Sequence, residues 1–510
     1  MRLGGVPVAR LGGMTNHADA IVYRTFDGSD AQLPHGALAE LVTALGGRVS
    51  THGEDYEKAR HTWNAMVEHR PAVIAHCASA EDVAAAIVFA REHEILLSVR
   101  GGGHHVAGNA VADGGLVIDL SPMRHVRVDA ASRRAFVGGG ALLGDVDAAT
   151  QAHGLAAPLG INSTTGFSGL CLGGGFGWLT RRFGLTIDSL QSATLVTAGG
   201  ERLIVSASNE PDLFWAIRGG GGNFGVVTSF ELRLHPVGPL VHSAIVAFPA
   251  SQARDILVKW RAFTASAPDE LTVWALLRKA PPLPFLPADV HGTDVVVLVA
   301  LYAGDMAEGA RATAPLLTFG KPHGHVAGPQ PFVAFQQMFD PLLAPGARNY
   351  WKTNEFVDLA DGAIDAVIDG GRKLAGPECE IFLASLGGAM GRIGSAETAY
   401  AGRATRYVMN AHGRWRSPAD DAKIRTWARD LFQATAPFAT GGGYVNFLTD
   451  DEQSRVEAAY GGNYGRLRDI KERFDPDNVF RMNHNIPPRE RARDDSRGAR
   501  PSTASRTRAR

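Results

Sequence analysis

Three glycine-rich stretches in the first half of the chain contain the residues best suited to binding and chemistry. The first, the glycines at 101–103, follows an apolar run at 95–99 typical of a buried strand, and His104 comes directly after it. Consecutive glycines allow left-handed turns, leave room for a ligand and can present a nest of N–H groups to an anion. These residues alone leave two interpretations open: a site for a phosphate-bearing cofactor, or glycine-rich turns in a β-rich domain.

The second stretch covers residues 160–177, and the third covers residues 219–225 and contains a dinucleotide-binding spacing. Its Gly220, Gly222 and Gly225 match G-x-G-x-x-G, which opens a helix in NAD-binding domains. Here the β-branched residues 226–228 predict a strand instead. An NAD-dependent dehydrogenase is therefore an alternative that lacks its strand–loop–helix unit.

The charge balance, the apolar runs and the cysteine positions of the chain argue against several classes of binding partner. The 510 residues include 51 basic and 52 acidic side chains, so no general attraction to nucleic acid is expected. No apolar run reaches the ~18 residues of a membrane span, and no signal peptide is apparent. The cysteines, at positions 77, 171 and 379, fit neither a disulfide framework nor a zinc site. We expect a cytoplasmic protein with no metal, no membrane contact and no nucleic-acid partner.

The elements that would position the glycines alternate between helix and strand. Ser79 and Asp82 resemble a capping box at the start of a helix that reaches about Glu92. Strands are predicted at 95–99, 115–120, 126–129, 134–138, 190–197, 202–205 and 226–232, with helices at 38–45, 141–152 and 212–217. After about residue 240, strands at 241–248 and 295–302 and helices at 251–263, 361–368 and 421–432 predict a separate α+β domain.

Several motifs in fixed order resemble the FAD-linked oxidases of the berberine bridge enzyme-like family, which have the vanillyl-alcohol oxidase type of fold. The resemblance covers residues 36–488. The motifs are RGGGH at 100–104, STTG at 163–166, GGGFG at 173–177, RGGGGNFGVV at 218–227, YVNF at 444–447 and FDPDNVF at 474–480. The implied fold is α+β: a two-subdomain PCMH-type FAD-binding domain, an α+β substrate domain with an antiparallel sheet, and a C-terminal segment that returns to the FAD-binding domain.

The resemblance also implies boundaries along the chain. The predicted parts are a flexible N-terminal arm (1–35), the FAD-binding domain (36–237), the substrate-binding domain (238–440), the berberine bridge enzyme-like C-terminal segment (441–488) and a disordered basic tail (489–510).

In that family the histidine after the glycine loop bonds to the 8α-methyl group of the flavin, which implies FAD attached covalently through His104 rather than His105. Some relatives carry a second bond from a cysteine, but the matching position is Asn162, and Cys171 lies inside the glycine-rich turn. A singly linked flavin is therefore expected. The other residues implied to hold FAD are Arg100, Gly101, Gly102, Gly103, Ser163, Thr164, Thr165, Gly166, Gly173, Gly174, Gly177, Gly225, Val227, Asn483 and Asn485.

The implied activity is an oxidase that transfers hydride from an alcohol, sugar or secondary metabolite to flavin N5, with reoxidation by O2 to give H2O2. Relatives often use the last tyrosine of a Y-x-N-Y motif as base, and here that residue is Phe447. Tyr444, Tyr350 and Tyr400 are the remaining candidates, together with Lys352. Phe447 also leaves open a flavin-bearing binding protein that has lost catalysis. Expected partners are a small-molecule substrate and O2, with the protein a monomer or homodimer.

Overall fold

The computed structural model describes residues 20–489, so residues 1–19 of the predicted arm and residues 490–510 of the predicted tail lie outside the described residues. The first described elements contradict a flexible arm up to residue 35. Strands β1 (Val22–Arg24) and β2 (Asp30–Gln32) pair antiparallel. Tyr23 is buried in the same cluster as helix residues that follow, and the backbone N–H of Arg24 donates to the Gly114 carbonyl. Residues 20–35 are therefore part of the folded domain.

The first subdomain is built on a four-stranded sheet in the order β3–β4–β6–β5, in which β4, β5 and β6 run parallel. The capping box predicted at Ser79 and Asp82 is present at the start of α3. The elements up to residue 119 are α1 (Ala37–Ala44), β3 (Val49–Ser50), α2 (Glu54–Arg60), β4 (Val73–His76), α3 (Ala80–Glu92), β5 (Leu97–Arg100) and β6 (Leu116–Asp119).

The second subdomain contains a five-stranded antiparallel sheet in the order β11–β10–β12–β8–β7, and a small β9–β13 pair. Val226 begins β12, which confirms that the G-x-G-x-x-G spacing precedes a strand. The elements are β7 (Val126–Asp129), β8 (Arg134–Gly138), α4 (Leu143–Gln151), β9 (Leu155–Ala156), α5 (Phe167–Leu172), α6 (Thr180–Phe183), β10 (Leu190–Val196), β11 (Arg202–Ser206), α7 (Pro211–Ile217), β12 (Val226–Arg233) and β13 (His235–Pro236).

A seven-stranded antiparallel sheet in the order β17–β14–β16–β15–β19–β20–β18 follows. Its elements are β14 (Leu240–Pro249), α8 (Ala253–Ala265), β15 (Leu271–Lys279), β16 (Asp294–Tyr302), α9 (Met306–Thr313), β17 (Gly324–Pro331), α10 (Phe332–Gln336), β18 (Arg348–Phe356), α11 (Asp361–Gly371), β19 (Glu380–Ser385), β20 (Tyr407–Trp415) and α12 (Asp421–Thr435). Helices α8, α11 and α12 cover one face of the sheet, and the other face turns toward the first two subdomains.

The C-terminal segment returns to the FAD-binding part of the chain through α13 (Val456–Tyr460) and α14 (Tyr464–Phe474). The buried ammonium group of Lys471 donates to the Asn223 carbonyl (2.8 Å) and to the carboxylate of Asp475 (2.5 Å). Asp475 in turn accepts from the backbone N–H groups of Val479 and Phe480. Burying these charges is tolerable because each is paired and hydrogen-bonded, and the cluster holds the segment on the third glycine stretch.

Candidate active site

The first glycine stretch lies at the carboxyl end of β5, where parallel strands usually present ligands. Gly103 adopts a left-handed φ of +67°, and a Cβ at Gly102 would lie 2.3 Å from the backbone nitrogen of Gly166. The two glycine loops therefore touch in a way that only glycine permits. Arg100 ties the start of the loop to the neighbouring strand β6, because its guanidinium lies 3.3 Å from the carboxylate of Asp119.

Two adjoining cavities lie between the glycine stretches, the large sheet and the C-terminal segment. The larger has a volume of about 1490 Å³ including its open mouth, and the smaller about 750 Å³. They meet at Val99, Gly101, His105, Gly169, Asn446 and Asn483, which line both. Together they form one elongated space that begins at the glycine stretches and ends at the face of the seven-stranded sheet.

His104 lines the larger cavity. Its ring stacks on Trp63 with centroids 4.8 Å apart, and its Nε2 lies 2.8 Å from Oγ1 of Thr164. Burial, assisted by the positive charge of Arg414, lowers the pKa of His104 to about 3. The imidazole is therefore neutral at physiological pH, which is the state in which it can act as a nucleophile.

On the sheet side, the period of two along each strand selects the residues that face the cavity. They are Trp274 and Leu276 of β15, Trp351 of β18, Glu380 and Phe382 of β19, and Asn410 and His412 of β20. Phe176, Phe339 and Phe447 complete an aromatic lining. This half of the cavity combines flat apolar walls with a few polar groups, as small-molecule sites usually do.

Glu380 is the one carboxylate among the described residues that line the larger cavity. Burial alone would raise its pKa, but the charge of Arg278 (2.7 Å) and a hydrogen bond with His412 lower it to about 2. Nδ1 of His412 lies 3.3 Å from Glu380, and its Nε2 lies 3.2 Å from Oδ1 of Asn349. An ionised carboxylate therefore faces the cavity beside an imidazole.

Tyr444 is the tyrosine that lines the larger cavity. Its phenolic oxygen accepts hydrogen bonds from the backbone N–H of Gly175 (3.1 Å) and from Nδ2 of Asn446 (2.9 Å). Burial outweighs these donors and raises its pKa to about 12. Tyr444 thus keeps its proton at neutral pH and can offer it to a ligand as a hydrogen-bond donor.

The structure does not bring Tyr350, Tyr400 or Lys352 to the cavity. Tyr350 and Lys352 point to the opposite face of β18 from Trp351, where both contact Asp451. Tyr400 is buried behind Tyr444, with ring centroids 6.3 Å apart. The assignment of these three side chains as candidate bases is corrected accordingly.

The residues predicted to hold the cofactor divide into three groups. Those that line the cavities are Gly101, Gly102, Gly103, His104, Thr165, Gly166, Gly225, Val227 and Asn483. Thr164 does not line either cavity, but its hydroxyl contacts the ring of His104, which does. The others do not line either cavity: Arg100, Ser163, Gly173, Gly174, Gly177 and Asn485. Ser163, for example, donates to Asp340 instead.

Sequence reasoning did not identify several cavity residues, chiefly Trp63, Glu380, Asn410 and His412. No strand was predicted at residues 380–385 or 407–415, and no local pattern indicates which face of such a strand is covered by helices. Gly169 was also overlooked as a ligand-facing position. It lines both cavities, and a Cβ added to it would meet no atom within 4 Å.

Comparison with known proteins identifies the group to which this site belongs. A family model described as FAD binding domain matches residues 71–206, and one described as berberine and berberine like matches residues 443–487. The FAD-linked oxidoreductase YgaK of Bacillus subtilis is 31% identical over 462 residues, covering 88% of this chain and 99% of YgaK. The chain belongs to the berberine bridge enzyme-like family of FAD-linked oxidoreductases.

Solved structures agree with that assignment. The structure of 6-hydroxy-D-nicotine oxidase from Arthrobacter nicotinovorans matches this berberine bridge enzyme-like protein with a TM-score of 0.78 at 26% identity, covering 86% of this chain and 98% of that one. Berberine bridge enzyme from Eschscholzia californica shares the fold, with a TM-score of 0.79 at 23% identity over 89% and 99% of the two chains. The predicted fold class and the prediction of an FAD-linked oxidoreductase are confirmed, and the NAD-dependent alternative is wrong.

The cavities fit FAD on structural grounds as well. Gly169 leaves free space where a side chain would enter both cavities. Nδ1 of His105 and Nε2 of His484 are buried there without a hydrogen-bond partner among the residues described. An elongated ligand with polar groups would satisfy both nitrogens. Within residues 20–489, none of the helices combines the length and apolar character needed to cross a lipid bilayer.

Proposed function

We propose that this protein is an oxidase with FAD attached covalently to His104, and that it oxidises a small molecule with dioxygen as the electron acceptor. The observation that carries the proposal is one continuous space that joins the glycine stretches and the neutral His104 to Glu380, His412 and Tyr444 on the opposite side. When bound, FAD would supply hydride acceptance at N5 and reoxidation by O2 to H2O2.

Gly101–103, Gly166 and Gly225 would hold the cofactor through backbone N–H groups, as glycine nests do for anions. His105 and Asn483 would supply polar contacts where the two cavities meet, and His484 would supply one in the smaller cavity.

The Glu380–His412 pair is the proposed acceptor of the substrate proton. Glu380 is ionised, and its negative charge would stabilise a proton that arrives on the adjacent imidazole. Oδ1 of Asn349 lies 3.2 Å from Nε2 of His412 and would accept a hydrogen bond from the protonated ring. Tyr444, which keeps its own proton, would orient the substrate by donating a hydrogen bond.

The proposed substrate is an alcohol, sugar or secondary metabolite that carries a ring. Trp274, Trp351 and Phe382 offer flat faces on which such a ring would stack. Glu380, Asn410 and His412 offer the hydrogen-bonding groups that would orient its polar substituents.

A flavin-bearing binding protein is the second candidate, because Phe447 lines the cavity where relatives often carry a tyrosine. A screen of alcohols, sugars and aromatic metabolites for H2O2 release separates the two. Sustained peroxide release with one class supports the oxidase, whereas binding that quenches flavin fluorescence without any peroxide release supports the binding protein.

Acid precipitation tests the covalent attachment directly. We expect the wild-type pellet to remain yellow and the His104→Ala pellet to be colourless, with its flavin in the supernatant, because only the wild type has the bond. Cys171→Ala is the matched control and should keep its yellow pellet, since Cys171 is buried in the hydrophobic core and lines neither cavity. Yellow colour in the wild-type supernatant would refute the covalent link.

A further inference from the structure

The hydrogen bonds that end on His104 have a defined direction. The backbone N–H of Thr164 donates to Oδ1 of Asn162 (2.9 Å), so the oxygen of that amide must face Thr164. The Thr164 hydroxyl lies 2.6 Å from the same oxygen and donates its single proton there. Its oxygen is then left with lone pairs only on the side that faces His104.

This direction selects one tautomer of the histidine. Nε2 of His104 lies 2.8 Å from Oγ1 of Thr164. Because that oxygen can only accept, Nε2 must carry the hydrogen. A neutral imidazole carries a single N–H, so Nδ1 holds the free lone pair. The ring is neutral because burial and Arg414 keep its pKa far below 7.

The plane of the ring is held as well. Trp63 stacks on His104 at an interplanar angle of 21°, and Nε1 of Trp63 donates to the Leu343 carbonyl (2.6 Å). The guanidinium of Arg414 lies over Trp63, 5.6 Å from its ring. His104 therefore cannot exchange its two nitrogens by a ring flip without breaking both the stack and the bond to Thr164.

We propose that Asn162 and Thr164 are positioning residues for flavin attachment: they hold His104 as the Nε2–H tautomer, so that Nδ1 forms the bond to the cofactor. The inference rests on the proposed covalent link to His104. It also gives a role to Asn162, which occupies the position where doubly linked relatives carry their second flavin-binding residue.

The electrons and protons of the attachment reaction balance when dioxygen is the final oxidant. Nδ1 provides the electron pair of the new bond to the 8α carbon of the flavin, and one C–H bond at that carbon breaks. The proton of that C–H bond and the Nε2 proton of the alkylated ring both leave, while the two electrons of the C–H bond reduce the flavin. Dioxygen then takes up two electrons and two protons as H2O2.

The first experiment uses the wild-type protein alone. A flavin-bearing peptide is isolated after proteolysis, and NMR identifies the imidazole nitrogen bonded to the flavin. We expect Nδ1. Attachment through Nε2 overturns the role of Asn162 and Thr164 but leaves the covalent oxidase intact. A wild type with no covalent flavin overturns both the proposed function and this inference.

The second experiment measures the rate at which apoprotein incorporates FAD covalently, by flavin fluorescence in denaturing gels. Thr164→Val should slow incorporation at least tenfold while FAD still binds non-covalently, and Thr164→Ser should restore the rate. Thr51→Val is the matched control, because Thr51 forms a threonine–histidine contact with His52 (3.0 Å) at an exposed site. Incorporation into Thr164→Val at the wild-type rate, or failure of Thr164→Ser to restore it, overturns the inference.

Discussion

At the scale of single residues, the proposed chemistry on the sheet side of the cavity depends most on Glu380. Its carboxylate remains ionised in a buried site because Arg278 and His412 lie against it. Buried charges persist only with such partners. A negative group held beside an imidazole and facing a cavity supports the proposal that the pair accepts the substrate proton, with the imidazole as the proton carrier.

Replacing Glu380 with Gln should therefore lower the rate of flavin reduction by a factor of about 10² to 10⁴, the usual contribution of a positioned base. The flavin absorption spectrum should change little, since Glu380 belongs to the sheet side of the cavity. Anaerobic stopped-flow measurements with the substrate found by the peroxide screen report the rate.

The control for this prediction is Glu308→Gln, because Glu308 is an exposed carboxylate on α9 that pairs only with its neighbour in the helix, Arg311. It should reduce the flavin at the wild-type rate. A Glu380→Gln rate within threefold of the wild type would contradict the role of the pair.

At the scale of elements, successive side chains of strand β18 point alternately to the cavity and to the opposite face of the sheet. Trp351 faces the cavity, whereas Tyr350 on the other face accepts a hydrogen bond from Arg429 (2.8 Å) and donates one to Asp451 (2.7 Å). The sequence near residue 350 offered Tyr350 and Lys352 as candidates. A shift of one residue in a strand reverses which side chains reach a ligand.

Tyr350→Phe should accordingly leave kcat within twofold of the wild type, while the free energy of unfolding falls by about 1–3 kcal/mol, because the variant leaves partly buried charged groups without one hydrogen bond. Steady-state peroxide release and denaturant titration measure the two effects. Trp351→Ala is the paired variant on the opposite face and should raise KM for a ring-bearing substrate. A large loss of kcat in Tyr350→Phe would return Tyr350 to the list of candidate bases.

At the scale of the whole molecule, the site is closed by segments from both ends of the chain. His105 of the first glycine stretch and His484 of the C-terminal segment lie with ring centroids 5.1 Å apart. Burial lowers the pKa of His105 to about 3 and that of His484 to about 4. Each imidazole is thus kept neutral mainly by burial, which exists only in the folded protein.

The burial of these two histidines predicts an acid-sensitive fold. In the unfolded chain each histidine binds a proton below about pH 6.5, whereas in the folded protein it stays neutral until pH 4 or lower. Acidification from pH 7 to 5 therefore favours unfolding, with a limiting slope of about 1.4 kcal/mol per pH unit for each histidine. The double variant His105→Gln/His484→Gln should show a flatter dependence of the denaturation midpoint on pH.

His153→Gln, at an exposed position after α4, is the control for this measurement and should keep the wild-type pH dependence. An equal slope in the double variant and the wild type would show that these two histidines do not titrate on unfolding.

The sequence by itself determined the local features of this protein. Contiguous motifs identified the FAD-binding family, the glycine stretches and His104. Short-range patterns located most helices and strands, including the capping box at Ser79 and the strand after Gly225. These features depend on neighbouring residues, so a linear pattern contains the information. The hairpin within residues 20–35 was missed because β1 and β2 are three-residue strands, too short for a periodic signal.

Only the tertiary structure decided which side chains meet. Glu380, His412 and Asn349 lie on three different strands, and Thr164 contacts a histidine 60 positions earlier. Whether a strand residue faces a ligand or a helix depends on what packs on each face of the sheet, and no local pattern encodes that. The same reason turns Tyr350 away from the cavity, although the sequence offered it as a candidate base.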